Sequence, residues 1–437
     1  MNMTKPQPDR AQILWDLGVP AFQPQPVPDV TEYDVAIIGA GFSGLTCALE
    51  LAKRGASVLV LEQGTIGHGA SGRNGGMVGP SFHKLGMTGL TKQYGEDKAR
   101  DIMQAGMAAL DHFEAFVEAE GIDCALSMQG RFRGARSAAD LASMEAECKR
   151  LNAEVGLPYR MVSRAEVGGF ISSDAYVGGV YYPRDGGVHP KRLVNALAAR
   201  AEARGAHLRD QTPVSRIVRD GSGFRLEAGE KSFAAKQVVM ATNGYSDART
   251  PGLNARLIPI NVTVAATRDL GENRIRSMSP QGAMHGETGR VFLWYRPSPD
   301  GRRFIFGGRI CREGLAMPAR RAKVAAMVER IFPELEAEDY EHIWHGKIAY
   351  SLDHAPHIGQ IDGVWYLGGY CGSGVTRSVY FASKLARKIL GQAGGETPFD
   401  DLPFAKVPFR PFAPLGVMGM TRYYRWLDQR DMARGTK

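Results

Sequence analysis

A short segment in the first part of the chain has the order of a nucleotide-binding unit. Residues 34–38 have the pattern of a buried strand, and Gly39, Gly41 and Gly44 follow at the G-x-G-x-x-G spacing. A helical apolar pattern comes next, and then a second short strand that ends at Glu62, 18 residues after Gly44. Strand, glycine triplet, helix, strand and acid within ~30 residues predict a dinucleotide site.

Each residue type in this unit has a physical role. Gly39 permits a tight turn, Gly41 lets the backbone approach a pyrophosphate, and Gly44 lets the helix pack closely on the strand. Free N–H groups at the helix start face the phosphate charge, and Glu62 can accept hydrogen bonds from ribose hydroxyls. Further predicted contacts are Phe42, Ser43 and Gln63. The alternative is a glycine-rich turn in an unrelated α/β sheet.

The segment 67–76 favours FAD over NAD as the dinucleotide. Half of its residues are glycine, and it contains no apolar run. Such a chain can lie against a flat ring with its N–H groups turned inward, as the edge of an isoalloxazine requires. A flexible surface loop is the alternative interpretation. The predicted flavin contacts in this loop are Ala70, Ser71, Arg73, Asn74, Gly75 and Gly76.

The same loop carries a resemblance to a known family. Gly69-Ala-Ser-Gly-Arg-Asn-Gly-Gly76 resembles the flavin loop of the glycine oxidase, sarcosine oxidase and D-amino-acid oxidase superfamily, and within it the γ-glutamylputrescine oxidoreductase group. The resemblance covers about residues 30 to 400, and its other segments are 185–190, 237–245, 344–359 and 368–374.

The resemblance implies non-covalently bound FAD and further contacts with it. These implied contacts are Val214, Ala241, Thr242, Asn243, Gly372, Gly374, Val375 and Thr376. The chain departs from the family pattern at Asn243, where many relatives have glycine, and at Cys371 and Ser373, where Ser and His are common. These departures leave the expected fold unchanged.

The expected fold class is α/β, with a Rossmann-type FAD-binding domain interleaved with an α+β substrate domain that contains an antiparallel sheet. Patterns predict helices over 98–118 and 138–155, and hairpins from 214–218 with 224–228 and from 291–295 with 303–307. The predicted FAD-binding pieces are 30–80, 180–257 and 344–400, and the substrate pieces are 81–179 and 258–343. Residues 1–29 are expected to form an extended arm and 401–437 a tail.

The amino-acid composition limits the kinds of binding partner and the cellular location that we expect for this chain. Lys and Arg total 54 against 46 Asp and Glu, a net charge of +8, but the basic residues are scattered and predict no nucleic-acid surface. This balance favours either an anionic substrate or solubility. No apolar run approaches a membrane span. Five cysteines without a C-x-x-C pair suit reduced thiols, so we expect a cytoplasmic protein.

Several side chains are candidates for the chemistry and for substrate binding. Lys347 and His354, near the segment that resembles a flavin-closing motif, are the predicted catalytic residues; a strand lysine on the surface and a plain loop histidine are the alternatives. Arg309 and Arg377 are candidates for anchoring a substrate carboxylate; for either of them, a surface residue or an ion-pair partner is the alternative. We expect Trp294 and Tyr295 to line a pocket for the amine; the alternative is that both belong to the core. No metal site is expected, since the histidine spacing matches none.

The resemblance implies FAD-dependent oxidation of an amine or amino acid C–N bond to an imine, by hydride transfer to flavin N5, followed by hydrolysis. A γ-glutamylated polyamine or a secondary amino acid is the implied substrate, with oxygen or an electron carrier as acceptor. Two alternatives are a flavin monooxygenase, for which no NAD(P)H-docking motif is present, and a non-catalytic flavoprotein.

Overall fold

The computed structural model describes residues 13–28, 30–312 and 314–435. Its helices are α1 (Phe42–Ala52), α2 (Gly86–Tyr94), α3 (Glu96–Ala119), α4 (Ala138–Val155), α5 (Pro190–Ala203), α6 (Pro251–Asn254), α7 (Glu272–Met278), α8 (Met317–Val328), α9 (Gly374–Ile389) and α10 (Ala413–Gly435). Its strands are β1 (Glu32–Ile38), β2 (Val58–Leu61), β3 (Met77–Val78), β4 (Arg131–Ala135), β5 (Arg160–Ser163), β6 (Gly178–Tyr182), β7 (Gly186–Gly187), β8 (His207–Arg209), β9 (Arg216–Asp220), β10 (Gly223–Ala228), β11 (Lys231–Met240), β12 (Ile258–Thr267), β13 (Met284–Glu287), β14 (Trp294–Pro297), β15 (Phe304–Gly308), β16 (Tyr340–Tyr350), β17 (His357–Ile361) and β18 (Val364–Gly368).

The first sheet carries the nucleotide-binding unit. Its order is β17-β18-β11-β1-β2-β8, and β1 runs parallel to both β11 and β2. Every residue of β2 is buried, as expected where helices cover a parallel sheet. Helix α1 packs against α5 and α9. The predicted α/β architecture is confirmed, and β9 and β10 form the first predicted hairpin, although β9 begins at Arg216 and not at Val214.

The second sheet has the order β16-β12-β15-β14-β13-β4-β6-β5 and is antiparallel except for the pair β13 and β4. This is the predicted antiparallel sheet. Strand β6 crosses the predicted border at 179/180, and β16 crosses the border at 343/344. The division into domains stays a prediction.

The second predicted hairpin forms, but its first strand starts later than expected. Trp294 pairs with Gly307 and Tyr295 with Phe306. The predicted start at Val291 is wrong because the backbone there has other acceptors. The Val291 N–H donates to Asp428 Oδ2 (2.9 Å) in α10, instead of joining a strand ladder.

The two predicted amphipathic helices are present as α3 and α4. Helix α4 spans 138–155 as predicted. The side chain of Ser137 accepts a hydrogen bond from the Asp140 N–H (3.1 Å) and caps its start. Gly156, with φ of 68°, ends it in the left-handed conformation that favours glycine.

The N-terminal arm is described only in part, because residues 1–12 and 29 lie outside the described residues. Residues 14–16 form a short 3₁₀ turn, and residues 18–28 form no helix or strand. Trp15 is buried and its indole Nε1 donates to the Asn74 carbonyl (2.8 Å). The arm is therefore attached to the predicted flavin loop.

The C-terminal tail packs on the body through one side of α10. Asp428 is buried and accepts from the Arg290 side chain (3.0 Å), and Arg425 donates to the Arg309 carbonyl (2.6 Å). The outer side exposes large apolar side chains, including Leu415 and Trp426. Across the described residues, no helix has the length and apolar character that crossing a bilayer requires.

Candidate active site

A cavity of about 1400 Å³ lies between the two sheets. Residues at the carboxyl ends of the parallel strands line one side of it: Ile38 and Gly39 at the end of β1, Leu61 and Glu62 at the end of β2, and Ala241 after β11. Residues of the antiparallel sheet, among them Val262, Val264 and Trp294, line the other. Ligands of open α/β sheets bind at the carboxyl ends of the strands.

The glycine triplet has the geometry that a bound dinucleotide requires. Gly39 has φ of +107°, a conformation that side-chain-bearing residues rarely adopt. A Cβ on Gly44 would lie 1.9 Å from the Gly39 carbonyl oxygen, so the helix packs on the turn only because Gly44 has no side chain. Gly41 lines the cavity directly before the first turn of α1. These residues therefore fit the pyrophosphate of FAD.

Glu62 lies at the tip of β2 and faces the cavity. Its carboxylate accepts hydrogen bonds from the Ala40 N–H (2.9 Å) and the Gly64 N–H (3.0 Å). An ionised carboxylate has about four lone-pair sites, so it can also accept from ribose hydroxyls. The predicted ribose contact is compatible with this geometry and stays a prediction.

The cavity brings together nearly all of the predicted FAD contacts. Among these predicted contacts, only Gly44 and Gly76 lie outside the cavity lining. The buried residue Val214 lines the cavity, and its backbone N–H and C=O have no hydrogen-bond partner in the described part of the chain. Free backbone groups at this point fit the edge of an adenine. The lining includes Gly39, Gly41, Phe42, Ser43, Glu62, Gln63, Ala70, Ser71, Arg73, Asn74, Gly75, Val214, Ala241, Thr242, Asn243, Gly372, Gly374, Val375 and Thr376.

Three distant side chains hold the carbonyl groups of the flavin loop. Trp15 Nε1 donates to the Asn74 carbonyl and Trp344 Nε1 donates to the Arg73 carbonyl, both at 2.8 Å. Arg296, on β14, donates to the Gly76 carbonyl (3.1 Å) and the Val188 carbonyl (3.0 Å). Sequence reasoning missed these three contacts, because the donors lie far from the loop along the chain.

Asn243 and Cys371, two of the departures from the family pattern, both have positive φ angles, of 42° and 53°. Asn tolerates this left-handed region better than most residues. The Asn243 Oδ1 accepts from the Gly369 N–H (3.0 Å) and joins the turn after β11 to the loop after β18. The Cys371 thiol donates to the Gly369 carbonyl (3.1 Å), and burial raises its pKa, which disfavours a thiolate.

Two of the four predicted substrate residues line the cavity, namely Trp294 and Arg309. The Trp294 indole fits between two glycines, since a Cβ would lie 2.1 Å from the ring at Gly75 and 1.8 Å at Gly307. The Arg309 guanidinium lies 5.9 Å from the centre of the Tyr350 ring. Nη1 of Arg309 donates weakly to Thr421 Oγ1 in α10 (3.4 Å).

The other two predicted substrate residues lie outside the cavity lining. Tyr295 is fully buried in the core of the second sheet, and its hydroxyl bonds to the Tyr176 hydroxyl (2.7 Å). Arg377 is buried and donates to the carbonyls of Tyr370 (3.1 Å) and Ser81 (2.6 Å). These are structural contacts. The substrate contacts predicted for Tyr295 and Arg377 stay predictions, without support from the shape of the cavity.

The two predicted catalytic residues differ in placement. His354 lines the cavity, its φ is 60°, and its Nδ1 is buried without a partner among the described residues. Lys347 does not line the cavity; its ammonium lies 5.7 Å from the centre of the Tyr245 ring. Its neighbours Gly346 and Ile348 face the cavity instead, because successive residues of a strand point to opposite faces.

Comparisons with known proteins show which proteins this chain is similar to. A probable oxidoreductase, OrdL, of Haemophilus influenzae is 29% identical over 93% of this chain and 95% of its own. γ-Glutamylputrescine oxidoreductase of Escherichia coli is 27% identical over 89% and 92%. The structure of glycine oxidase from Geobacillus kaustophilus has the same fold, with a TM-score of 0.68 and 24% identity over 87% of this chain and 99% of its own. The model of the DAO family, described as FAD dependent oxidoreductase, matches residues 34–388. Because that match spans most of the chain and the cavity residues fit FAD, the chain belongs to the DAO family of FAD-dependent oxidoreductases.

Proposed function

We propose that the chain oxidises the C–N bond of an amine or amino acid to an imine, which water then hydrolyses. The observation that carries this proposal is a single cavity, in which the dinucleotide cradle at Gly39 and Gly41 continues into a chamber lined by Trp294, Arg309 and His354. FAD, when bound, supplies the acceptor for a hydride at N5. The residues of the chain must then orient the C–H bond, exclude water and keep the amine neutral.

The side chains of the chamber suit these tasks. Trp294 and Tyr350 give it aromatic walls that exclude water around an amine. Arg309 presents a guanidinium that can pair with a substrate carboxylate. His354 lines the chamber, and its imidazole can accept the proton of a substrate ammonium group. A backbone held at positive φ also supports a functional role for His354, since such strain is frequent at active sites.

We propose a γ-glutamylated polyamine or a secondary amino acid as the substrate class. The name of the E. coli relative supports the first, and the cavity is large enough for an extended molecule beside FAD. The electrons leave to oxygen or to an electron carrier. Lys347 stays the predicted cation for this second half-reaction, acting from behind the Tyr245 ring.

The test is anaerobic mixing of the purified holoenzyme with a panel of amines, followed by the absorbance of oxidised flavin. We expect γ-glutamylputrescine or a secondary amino acid such as sarcosine to bleach the flavin, with an aldehyde or keto acid as product. Bleaching by NADPH and by no amine would favour a flavin monooxygenase. If neither NADPH nor any of the amines reduces the flavin, the remaining interpretation is a non-catalytic flavoprotein.

The role of His354 predicts a pH dependence. Burial, aided by Lys84 and Arg309 and opposed by Asp353, lowers the pKa of His354 below the ordinary value of 6.5. The imidazole is therefore neutral at pH 7 and becomes charged as the pH falls through this lowered pKa. Flavin reduction should be fast above that pKa and slow below it. His354→Asn should reduce the rate at pH 7 by about 10²-fold, which is typical of a lost general base.

Asn suits this substitution because it tolerates positive φ. His112→Asn is the control, since burial also lowers the pKa of His112 but its ring lies outside the cavity lining and bonds to Ser383 Oγ (3.0 Å). Stopped-flow reduction at a series of pH values gives both profiles. If the rate of flavin reduction in His354→Asn still falls at low pH as it does in the wild type, the group that titrates there is another residue.

A further inference from the structure

Most charged side chains of the cavity already have a polar partner, but two cations do not. No hydrogen bond or ion pair reaches the side chain of Lys84 or of Arg133 from the described residues. By contrast, Arg131 pairs with Asp185 (2.8 Å) and Arg150 donates to Thr88 Oγ1 (2.9 Å). Lys84 and Arg133 are therefore cavity cations without a direct polar partner in the described part of the chain.

Both side chains line the cavity, on the part of its wall that β4 and the segment before α2 form. Arg133 lies in the middle of β4, where Arg131 and Arg133 face the cavity and Phe132 points into the core of the second sheet. This alternation follows from the two-residue period of a strand. Lys84 lies just before α2 and also lines the cavity. Arg133 is one of the charges that act on Lys84.

The electrostatics around Lys84 and Arg133 favour an anion. Lys84 is accessible because it borders the open cavity, yet the surrounding protein desolvates its ammonium. Desolvation, with Arg377, Arg133 and Arg131 nearby, lowers the Lys84 pKa to about 8, although Cys371 opposes the shift. A carboxylate beside the two cations would raise the lowered pKa of Lys84 again, because an opposite charge stabilises the charged form.

Two acids of the same cavity do not neutralise these cations. Glu147 accepts a long hydrogen bond from the Met87 N–H (3.4 Å), and Asp140 accepts from Thr288 Oγ1 (2.8 Å). Neither forms an ion pair with Lys84 or Arg133. Glu147 instead binds the Met87 backbone, and Asp140 binds the Thr288 side chain.

We propose that Lys84 and Arg133 form an anion subsite that binds a carboxylate of the amine substrate; this rests on the proposed function. The planar guanidinium of Arg133 can bind both carboxylate oxygens, and the ammonium of Lys84 acts as a point charge beside it. The subsite selects acidic amines over neutral amines of the same length. It is separate from Arg309, whose guanidinium lies near Tyr350 and Thr421.

The first measurement does not depend on turnover. Glutarate, a dicarboxylate, is titrated calorimetrically into the FAD-loaded wild-type protein, Lys84→Met and Arg133→Gln. We expect the dissociation constant to rise about tenfold or more in each variant, as for a lost charged hydrogen bond. Lys92→Met, on an exposed residue of α2, and Arg150→Gln, on a cavity residue that already donates to Thr88, are the controls and should change it less than about threefold.

The second measurement uses a matched pair of amines in anaerobic flavin reduction: putrescine acylated with glutarate, which carries a carboxylate, and putrescine acylated with valerate, which does not. Lys84→Met and Arg133→Gln should raise the half-saturating concentration of the acidic amine about tenfold or more. For the neutral amine, the change should stay within about threefold, since no charged contact is lost. Unchanged FAD content shows that each variant is folded.

Four outcomes are decisive. Selective loss of glutarate and of the acidic amine supports the subsite. Wild-type glutarate binding in both variants overturns it. Equal weakening of the acidic and neutral amines overturns it as well, because a general distortion of the cavity would explain both. If glutarate binding is lost in the variants but no amine reduces the flavin, the anion subsite stands and the amine function fails.

Discussion

Gly44→Ala should yield protein that retains little or no FAD. The added Cβ would lie 1.9 Å from the Gly39 carbonyl oxygen and 3.3 Å from the Ile37 side chain. Neither α1 nor the turn can move away easily, because α1 packs between β1, α5 and α9 and Gly39 already has φ of +107°. Overpacking of this kind costs about 1–3 kcal/mol or more, and here the strain falls on the pyrophosphate cradle. Flavin absorbance per purified chain measures the loss, and thermal unfolding measures the stability.

Gly416→Ala is the matched control, since it places the same methyl group in helix α10, where nothing lies within 4 Å. It should retain FAD fully and, by helix propensity, keep or slightly raise the melting temperature. A Gly44→Ala protein with wild-type flavin content and stability would mean that α1 is displaced without effect, and the assigned role of Gly44 would be wrong.

Arg296→Met should loosen the flavin loop and release FAD. The Arg296 guanidinium is buried and donates to the carbonyls of Gly76 (3.1 Å), Val188 (3.0 Å) and Pro297 (3.0 Å). Burial lowers its pKa only to about 10, so it is charged at pH 7. Removing it leaves the buried Val188 carbonyl without a donor among the described residues, at about 1–3 kcal/mol, while the Gly76 carbonyl keeps only the Val188 N–H (2.7 Å). We expect the dissociation constant of FAD to rise about 100-fold or more, as fluorescence titration of the apoprotein would measure.

Arg302→Met is the control for this prediction. Arg302 is exposed, and its Nε pairs with Asp269 Oδ2 (2.7 Å) at the surface. Exposed ion pairs contribute about 0–1 kcal/mol, so its FAD affinity should stay near that of the wild type. If Arg296→Met binds FAD as tightly as Arg302→Met does, the loop keeps its shape without the arginine.

The sequence by itself predicted the elements whose contacts are local. The strand, turn and helix around Gly39 and Gly44 lie within a few residues of one another, so spacing alone indicates which atoms approach the pyrophosphate. The α3 and α4 patterns predicted both helices for the same reason, since a repeat of 3.6 residues needs no distant partner. The resemblance in the flavin loop predicted the family and the cofactor correctly.

Only the tertiary structure decided which side chains meet in the cavity. The two-residue period of β16 places Lys347 opposite Gly346 and Ile348, but only the packing of the second sheet shows that Gly346 and Ile348 face the cavity. In the same way, Lys84 and Arg133 line the same cavity although 49 residues separate them in the sequence. Trp15 reaches the Asn74 carbonyl from the N-terminal arm, 59 residues away along the chain. Local spacing specifies the backbone of the cofactor site, whereas the chamber beside it is formed by contacts between distant segments, whose meeting depends on the packing of the whole chain.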